Sequence, residues 1–298
     1  MTNLDEFNDF YDPALKWSNV EPFLGQDAYT LVEGDIRDRD LVDGLFRDSN
    51  FDEVVHLAAR AGVRPSLAEP ILYEETNCIG TIHLLEAARH FGPERFIFGS
   101  SSSVYGINKK VPFAETDEVD QPISPYATTK RAGELLCYNY HHLYGLKTAC
   151  LRFFTVYGPA QRPEMAIHKF TRLIAEGKPI TMFGDGTSRR DYTYVDDIID
   201  GVLASMELAP GFEIFNLGGA ATTTLADLVQ WIGEELAIEP KIQYLPDQPG
   251  DVPITYADVS KAERMLGYSP QVPIREGIRR FVAWYRENRA TKPPVDQS

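Results

Sequence analysis

Residues 95–103 read Arg95-Phe96-Ile97-Phe98-Gly99-Ser100-Ser101-Ser102-Ser103. A short apolar run gives way to four hydroxyls, the signature of a buried strand that ends in a polar loop. The pattern alternates on both sides of it. Upstream, Tyr29–Val32 and Glu53–Leu57 read as strands, and Ile71–His90 as a helix with Ile79, Ile82, Leu84 and Leu85 on its apolar side. Downstream, Tyr126–Tyr144 reads as a long helix and Thr148–Phe153 as another strand. Strands alternating with helices of about ten residues or more imply parallel β-α-β units, and so an α/β fold with a doubly wound parallel sheet.

After about Pro159 the alternation loosens. Helices are expected at 167–176, 196–207, 225–236, 261–266 and 274–287, separated by short strands near 214–217 and 241–244. Loops there are rich in Gly, Pro and Asp. This reads as a smaller C-terminal α/β lobe packed on the first, with a cleft between them. The expected division is 1–160, 161–290 and a polar tail at 291–298.

The chain has 298 residues, 43% hydrophobic and 24% charged, with a net charge of −15. No basic stripe offers itself to a nucleic acid. No apolar run approaches the roughly 20 residues of a membrane span. Cys78, Cys137 and Cys150 are odd in number and form no C-x-x-C pair, so neither a disulfide framework nor a zinc site is expected. The acidic start, Met1-Thr2-Asn3-Leu4-Asp5-Glu6-Phe7, lacks the apolar core of a signal peptide. A cytoplasmic location is the expectation.

The chemical signal is Tyr126-Ala127-Thr128-Thr129-Lys130. Four residues apart on a helix put a phenol and an ammonium on one face. A phenol with a pKa near 10 is a poor base at neutral pH, and a nearby cation lowers that value. A tyrosine so tuned can take a proton from a hydroxyl as a hydride leaves the same carbon. The serine run lies at the carboxyl end of a parallel strand, where doubly wound folds place ligands. Alone, a Tyr and a Lys four apart can simply share a helix, and a serine run can simply cap a loop. Together they define a candidate site.

The larger set resembles a known family. Ser100–Ser103 with Val104-Tyr105-Gly106, then Tyr126 and Lys130, then Arg152-Phe153-Phe154-Thr155-Val156-Tyr157-Gly158-Pro159 are similar to extended short-chain dehydrogenases of the NAD-dependent epimerase/dehydratase family. The similarity continues through Phe183-Gly184-Asp185-Gly186, Arg190–Asp197, Asn216-Leu217-Gly218 and Pro249-Gly250-Asp251. Phe7–Pro13, Ala58–Arg64 and Gln161-Arg162-Pro163-Glu164-Met165 resemble the UDP-glucuronate 4-epimerase subgroup.

The resemblance implies a Rossmann-like fold, NAD as cofactor, a UDP-sugar substrate and 4-epimerisation through a 4-keto intermediate. It implies Tyr126 as base, Lys130 as its electrostatic partner and a ribose contact, and Ser101 as the third catalytic hydroxyl. Asp35, Ile36, Leu57, Ala58, Ala59, Asn77, Ser100 and Phe153, with Tyr126 and Lys130, would line the cofactor. Arg64, Ser102, Ser103, Thr155, Arg162, Arg190 and Asp251 would line the substrate. No metal is implied. A homodimer through the helices at 71–90 and 126–144 would be the assembly, although both helices could equally be core. A 4,6-dehydratase of this family would carry Asp-Glu where this chain has Ser102-Ser103, and a decarboxylase an acid at the second of those positions. Both are disfavoured, and an epimerase of neutral hexoses stays open.

One expected feature is missing from the sequence. The family's cofactor site begins with a strand, a glycine-rich turn and a helix, whereas the first glycine here is Gly25. The expectation is that about 30 residues, a β-α unit by length, are absent at the front. A central strand would be lost and two sheet edges exposed. Three readings of the chain then compete: a misplaced start in a longer working protein, a fragment or decaying reading frame, and a non-catalytic homologue that binds a sugar nucleotide.

Overall fold

The computed structural model describes residues 1–208, 211–246 and 252–290. It divides into two compact units. The first comprises Met1–Phe153, Gly201–Leu217 and Asp258–Tyr268, the second Phe154–Asp200, Gly218–Ala257 and Ser269–Ser298.

In the first unit, four parallel strands run in the order Phe212–Leu217, Lys147–Phe153, Arg95–Ser101, Glu53–His56. A parallel pair, Thr2–Asp5 with Thr30–Glu33, forms its own sheet. The parallel strands thus make two sheets where one was expected. Among the described residues no strand joins them, and Val55 and Leu57 are 36% and 52% exposed. A single apolar cluster still ties the two together. Ile36, Val42, Phe46, Leu84, Leu85, Phe96, Phe98, Cys137 and Cys150 are buried in it, and Leu4 of the separate pair packs against it.

The Arg95–Ser101 strand runs two residues past its apolar core, with Ser100 opposite Arg152 and Ser101 opposite Phe153. The expected helix at 71–90 is broken. It consists of Pro70–Glu74, a π turn over Glu75–Ile79, and Gly80–Phe91. The Gly80 N–H bonds the Glu75 carbonyl, five residues back, which shifts the face presented on either side. Ile79 is consequently exposed, not apolar core, while Leu84 and Leu85 are buried. Two further helices, Pro13–Val20 and Arg39–Asp48, start at aspartate caps: Asp12 accepts from the Ala14 N–H and Asp38 from the Leu41 N–H.

Among its described residues, the second unit contains three two-stranded pairings. Thr155–Tyr157 is parallel to Tyr192–Tyr194, Ile180–Phe183 is parallel to Ile242–Leu245, and Arg189–Arg190 is antiparallel to Thr223–Thr224. Helices Ala166–Ala175, Leu225–Leu236 and Ile274–Ala290 enclose a core that includes Ile167, Phe170, Ile174, Leu228, Ile232, Ile278 and Phe281.

Candidate active site

The helix Pro125–Tyr144 starts firmly. Ser124 Oγ accepts from the Ala127 N–H at 3.1 Å, and Pro125 takes the first position, where no N–H is needed. Tyr126 sits half-buried in the first turn. Lys130, one turn on, is 5% exposed, and its Nζ donates to the Gly99 carbonyl at 2.7 Å. Burial pushes the Lys130 ammonium down to about 8, against the opposing effects of Cys78 and Glu134. This one bond ties the helix to the end of the Arg95–Ser101 strand. There, Ser101 Oγ accepts from the Ser103 N–H at 3.1 Å and so caps the turn Ser102–Tyr105. Ser102 and Ser103 are half-buried in that turn.

The loop after Glu53–His56 is held from two sides. Asn77, in the π turn, accepts from the Arg60 N–H at 2.7 Å and donates to the Arg60 carbonyl and to Thr129 Oγ1, each at 2.9 Å. Tyr73 donates to the Ala61 carbonyl at 2.8 Å, and its ring meets Tyr126 edge-on with centroids 6.3 Å apart. Leu57 and Ala58 stay exposed on this loop, and Ala59 is half-buried. Phe153 packs beside Gly99, where a methyl group would come within 3.3 Å of its ring. Asp35 is engaged by its neighbour: Oδ1 accepts from the Arg37 N–H and Oδ2 from the Arg37 guanidinium. Burial raises the Asp35 carboxyl, and Arg37 more than offsets this, leaving it below the ordinary value. Ile36 is buried against Gly80. The Ser100 hydroxyl points to Glu134 Oε1 at 2.6 Å.

In the second unit, Thr155 bonds the Asp191 carbonyl through its N–H at 3.0 Å. Arg190 is half-buried in its two-residue strand and donates to the Arg189 carbonyl at 2.9 Å. Beside it, Asp191 is fully buried and accepts from the Gly219 and Ala257 N–H groups. Burial lifts its carboxyl to about 6 despite those bonds. Arg162 lies 3.1 Å from Glu164. Arg64 is exposed in the first turn of Val63–Ala68 in the first unit. Asp251 and the Pro249-Gly250-Asp251 motif lie outside the described residues, as do residues 291–298.

The sequence reading missed Glu134 and overlooked the partners of Arg152. Glu134, Arg152, Tyr105 and Asn216 form a buried polar network under the strand end. The signal was available, since Glu134 follows Lys130 at the same four-residue spacing as Lys130 follows Tyr126.

The residues at the strand ends fit the adenosine end of a dinucleotide. Asp5, Asp35–Ile36 and Leu57–Ala59 lie at the carboxyl ends of parallel strands, where such ligands bind. Arg60 Nη2 lies 3.8 Å from Glu6, so the carboxyl ends of the two sheets meet. Arg60 Nε is buried with no hydrogen-bond partner among the described residues. No group of His, Cys, Asp and Glu side chains suited to a metal occurs among the described residues.

Comparisons with known proteins bear on the family and the fold. The family model described as GDP-mannose 4,6 dehydratase matches residues 9–281. A UDP-glucuronate 4-epimerase from Thermodesulfobacterium geofontis is 42% identical, over 96% of this chain and 88% of the relative. The crystal structure of UDP-glucuronic acid 4-epimerase from Bacillus cereus, with UDP-glucuronic acid and NAD, superposes with a TM-score of 0.90 at 35% identity. It covers 96% of this chain and 91% of that one. A dTDP-glucose 4,6-dehydratase from Streptomyces venezuelae, solved with NAD, gives 0.90 at 32% identity, over 97% and 88%. With Tyr126, Lys130 and the serine turn in place on a parallel α/β scaffold, the chain belongs to the GDP-mannose 4,6-dehydratase family of NAD-dependent epimerases and dehydratases.

Proposed function

We propose that this protein is an NAD-dependent nucleotide-sugar 4-epimerase that interconverts UDP-glucuronate and UDP-galacturonate through a 4-keto sugar. The observation that carries the reading is the bond from Lys130 to the Gly99 carbonyl, which puts the helix of Tyr126 and the strand end of Ser101 in one rigid corner. Tyr126 would take the proton from the sugar 4-hydroxyl, with Lys130 stabilising the phenolate. Ser101 Oγ already accepts a backbone N–H and has one proton left to donate to the same sugar oxygen. NAD, when bound, supplies the hydride acceptor and donor. Rotation of the keto sugar before hydride returns gives the epimer.

A 4-keto glucuronate is a β-keto acid and prone to lose CO₂. The site must hold the carboxylate away from alignment with the ketone. Arg64, Thr155 and Arg162 are assigned that grip, and Arg190 and Asp251 the nucleotide. The Ser102–Tyr105 turn offers no carboxylate next to Ser101, which speaks against elimination across C5 and C6. The T. geofontis and B. cereus relatives support the uronic acid. A neutral hexose is the second reading, favoured by the ion pair that already occupies Arg162. We assign a homodimer as the assembly, because Ile71, Ile79, Leu135, Tyr138 and Leu143 expose an apolar surface that a second copy would cover.

The test is to incubate the 298-residue chain with NAD⁺ and, separately, UDP-glucuronate and UDP-glucose, and to follow the sugars by NMR. UDP-galacturonate formation without CO₂ release is expected. Turnover of UDP-glucose alone would move the assignment to the neutral hexose. Calorimetric binding of UDP-glucuronate with no turnover, in the presence of bound NAD⁺, would make the protein a binding homologue.

A further inference from the structure

Glu134 is fully buried, one turn beyond Lys130 on the same helix face. Its Oε1 accepts from Ser100 Oγ at 2.6 Å and from Arg152 Nε at 2.8 Å. Its Oε2 accepts from Arg152 Nη2 and Arg131 Nη1, each at 2.9 Å. Arg152, 1% exposed, passes a third bond to Tyr105 OH at 3.0 Å, and that hydroxyl donates to Asn216 Oδ1 at 2.7 Å. All four carboxylate contacts are therefore charge-assisted or short, and the Arg152 fork fixes the plane of the carboxylate.

Stability alone does not call for this pair, because well-packed apolar side chains of similar volume are often as stabilising as a buried ion pair. What the fork adds is register. Ser100 and Ser101 are successive strand residues, and their side chains point to opposite faces. A grip on Ser100 from below therefore sets the direction in which Ser101 points above. We infer that Glu134 is a positioning residue, which through Ser100 fixes the strand end carrying Ser101 against the helix carrying Tyr126 and Lys130. The inference rests on the proposed reading of Tyr126 and Ser101 as reacting groups.

A second consequence concerns charge. Lys130 is faced by Glu134 from its own helix, by Cys78 from the π turn and by His56 from the Glu53–His56 strand. Burial, with the Glu74 contact, pushes the Cys78 thiol up to about 12, and burial, with Lys130, pushes His56 down to about 3. Both are neutral near pH 7, which leaves Glu134 as the ionised group of the three. Burial raises its carboxyl, but Arg152, Ser100 and Arg131 together hold it below the ordinary value.

Three variants of the full chain separate grip from charge: Ser100→Ala, Glu134→Asp and Glu134→Gln. Ser100→Ala and Glu134→Asp are expected to lower kcat for UDP-glucuronate about ten- to a hundredfold, the penalty of misplacing reacting groups by an ångström or less, with KM within about threefold and, in Glu134→Asp, NAD⁺ affinity likewise. Glu134→Gln should also move the alkaline fall in activity to lower pH, and Glu134→Asp should keep that limb in place. A kcat within about twofold of the parent in folded Ser100→Ala and Glu134→Asp, or a lower melting temperature with no change in kcat or pH limb, overturns the inference. If the parent turns over no nucleotide sugar, the proposed function fails instead. The inference is then read by hydrogen exchange. Faster exchange of the Ser102 and Ser103 amides in Ser100→Ala supports it, and unchanged exchange overturns it.

Discussion

The place of Tyr126, the proposed base, is set by where its helix begins. The Ser124 cap and Pro125 start the helix one residue before the phenol, which leaves the ring half-buried beside Tyr73 while Lys130 is fully enclosed. Removing the hydroxyl alone, in Tyr126→Phe, is expected to reduce turnover of UDP-glucuronate about 10²- to 10⁴-fold, the usual contribution of a positioned acid or base. NAD⁺ affinity and melting temperature should stay near those of the parent. Stopped-assay NMR and calorimetry on the same preparation check both. Arg190 makes a different prediction. A hydrogen bond from a charged group is worth about 1.5–3 kcal/mol, so Arg190→Ala should raise KM roughly 10- to 150-fold with a smaller effect on kcat. An unchanged KM would remove Arg190 from the substrate site. The sequence showed Tyr126 and Lys130 directly, since a four-residue spacing on a helix is local. It could not show that the Ser100 hydroxyl turns to Glu134, because that bond spans 34 residues.

At the scale of elements, the site depends on how closely the Pro125–Tyr144 helix lies on the Arg95–Ser101 strand. Gly133 marks the contact. A Cβ there would collide with Phe98 Cζ, and Phe98 is buried. Gly133→Ala is expected to destabilise the protein by about 1–3 kcal/mol through overpacking, seen as a shifted denaturant midpoint with an unchanged slope. The neighbouring ion pair is more sensitive. Glu134→Leu strands a buried guanidinium and should cost about 3–5 kcal/mol, while Glu134→Leu with Arg152→Met should recover most of it. The helix and strand were legible from apolar periodicity, and so was their order. The π turn at Glu75–Ile79 was not, because one extra residue in a turn leaves the apolar pattern almost intact while rotating the face that follows.

For the whole molecule, the buried titrating groups set the response to acid. His56 is 4% exposed, and its ring nitrogen bonds Thr81 Oγ1 at 2.8 Å, whose own proton goes to the Asn77 carbonyl. Burial and the Lys130 charge hold His56 near 3, below its ordinary 6.5. Between those values the unfolded chain binds a proton that the folded chain refuses, so stability falls as the pH drops below 6.5. Asp191 works in the opposite sense. Its folded value, raised to about 6 from 3.8, means the folded chain holds the extra proton, so stability rises as the pH falls through that window. The two effects oppose each other between about pH 6 and 4. In His56→Gln the first is removed, and the variant should gain about 2 kcal/mol relative to the parent between pH 6.5 and 4.5. Melting temperatures across that range check this. Identical pH profiles for variant and parent would mean that His56 takes up its proton at the same pH in the folded and the unfolded chain.

The sequence alone determined the parallel α/β class, the Tyr126–Lys130 pair and the place of the serine run at a strand end. Each follows from spacings within a few residues, where backbone geometry decides which side chains share a face. Tertiary structure decided the rest. A lysine or a glutamate reads as surface in any local window, and here Lys130 and Glu134 are buried because Gly99, Ser100 and Arg152, distant in the chain, meet their charges. The division of the parallel strands into two sheets, and the apolar cluster that binds both, are likewise properties of packing between segments remote in sequence.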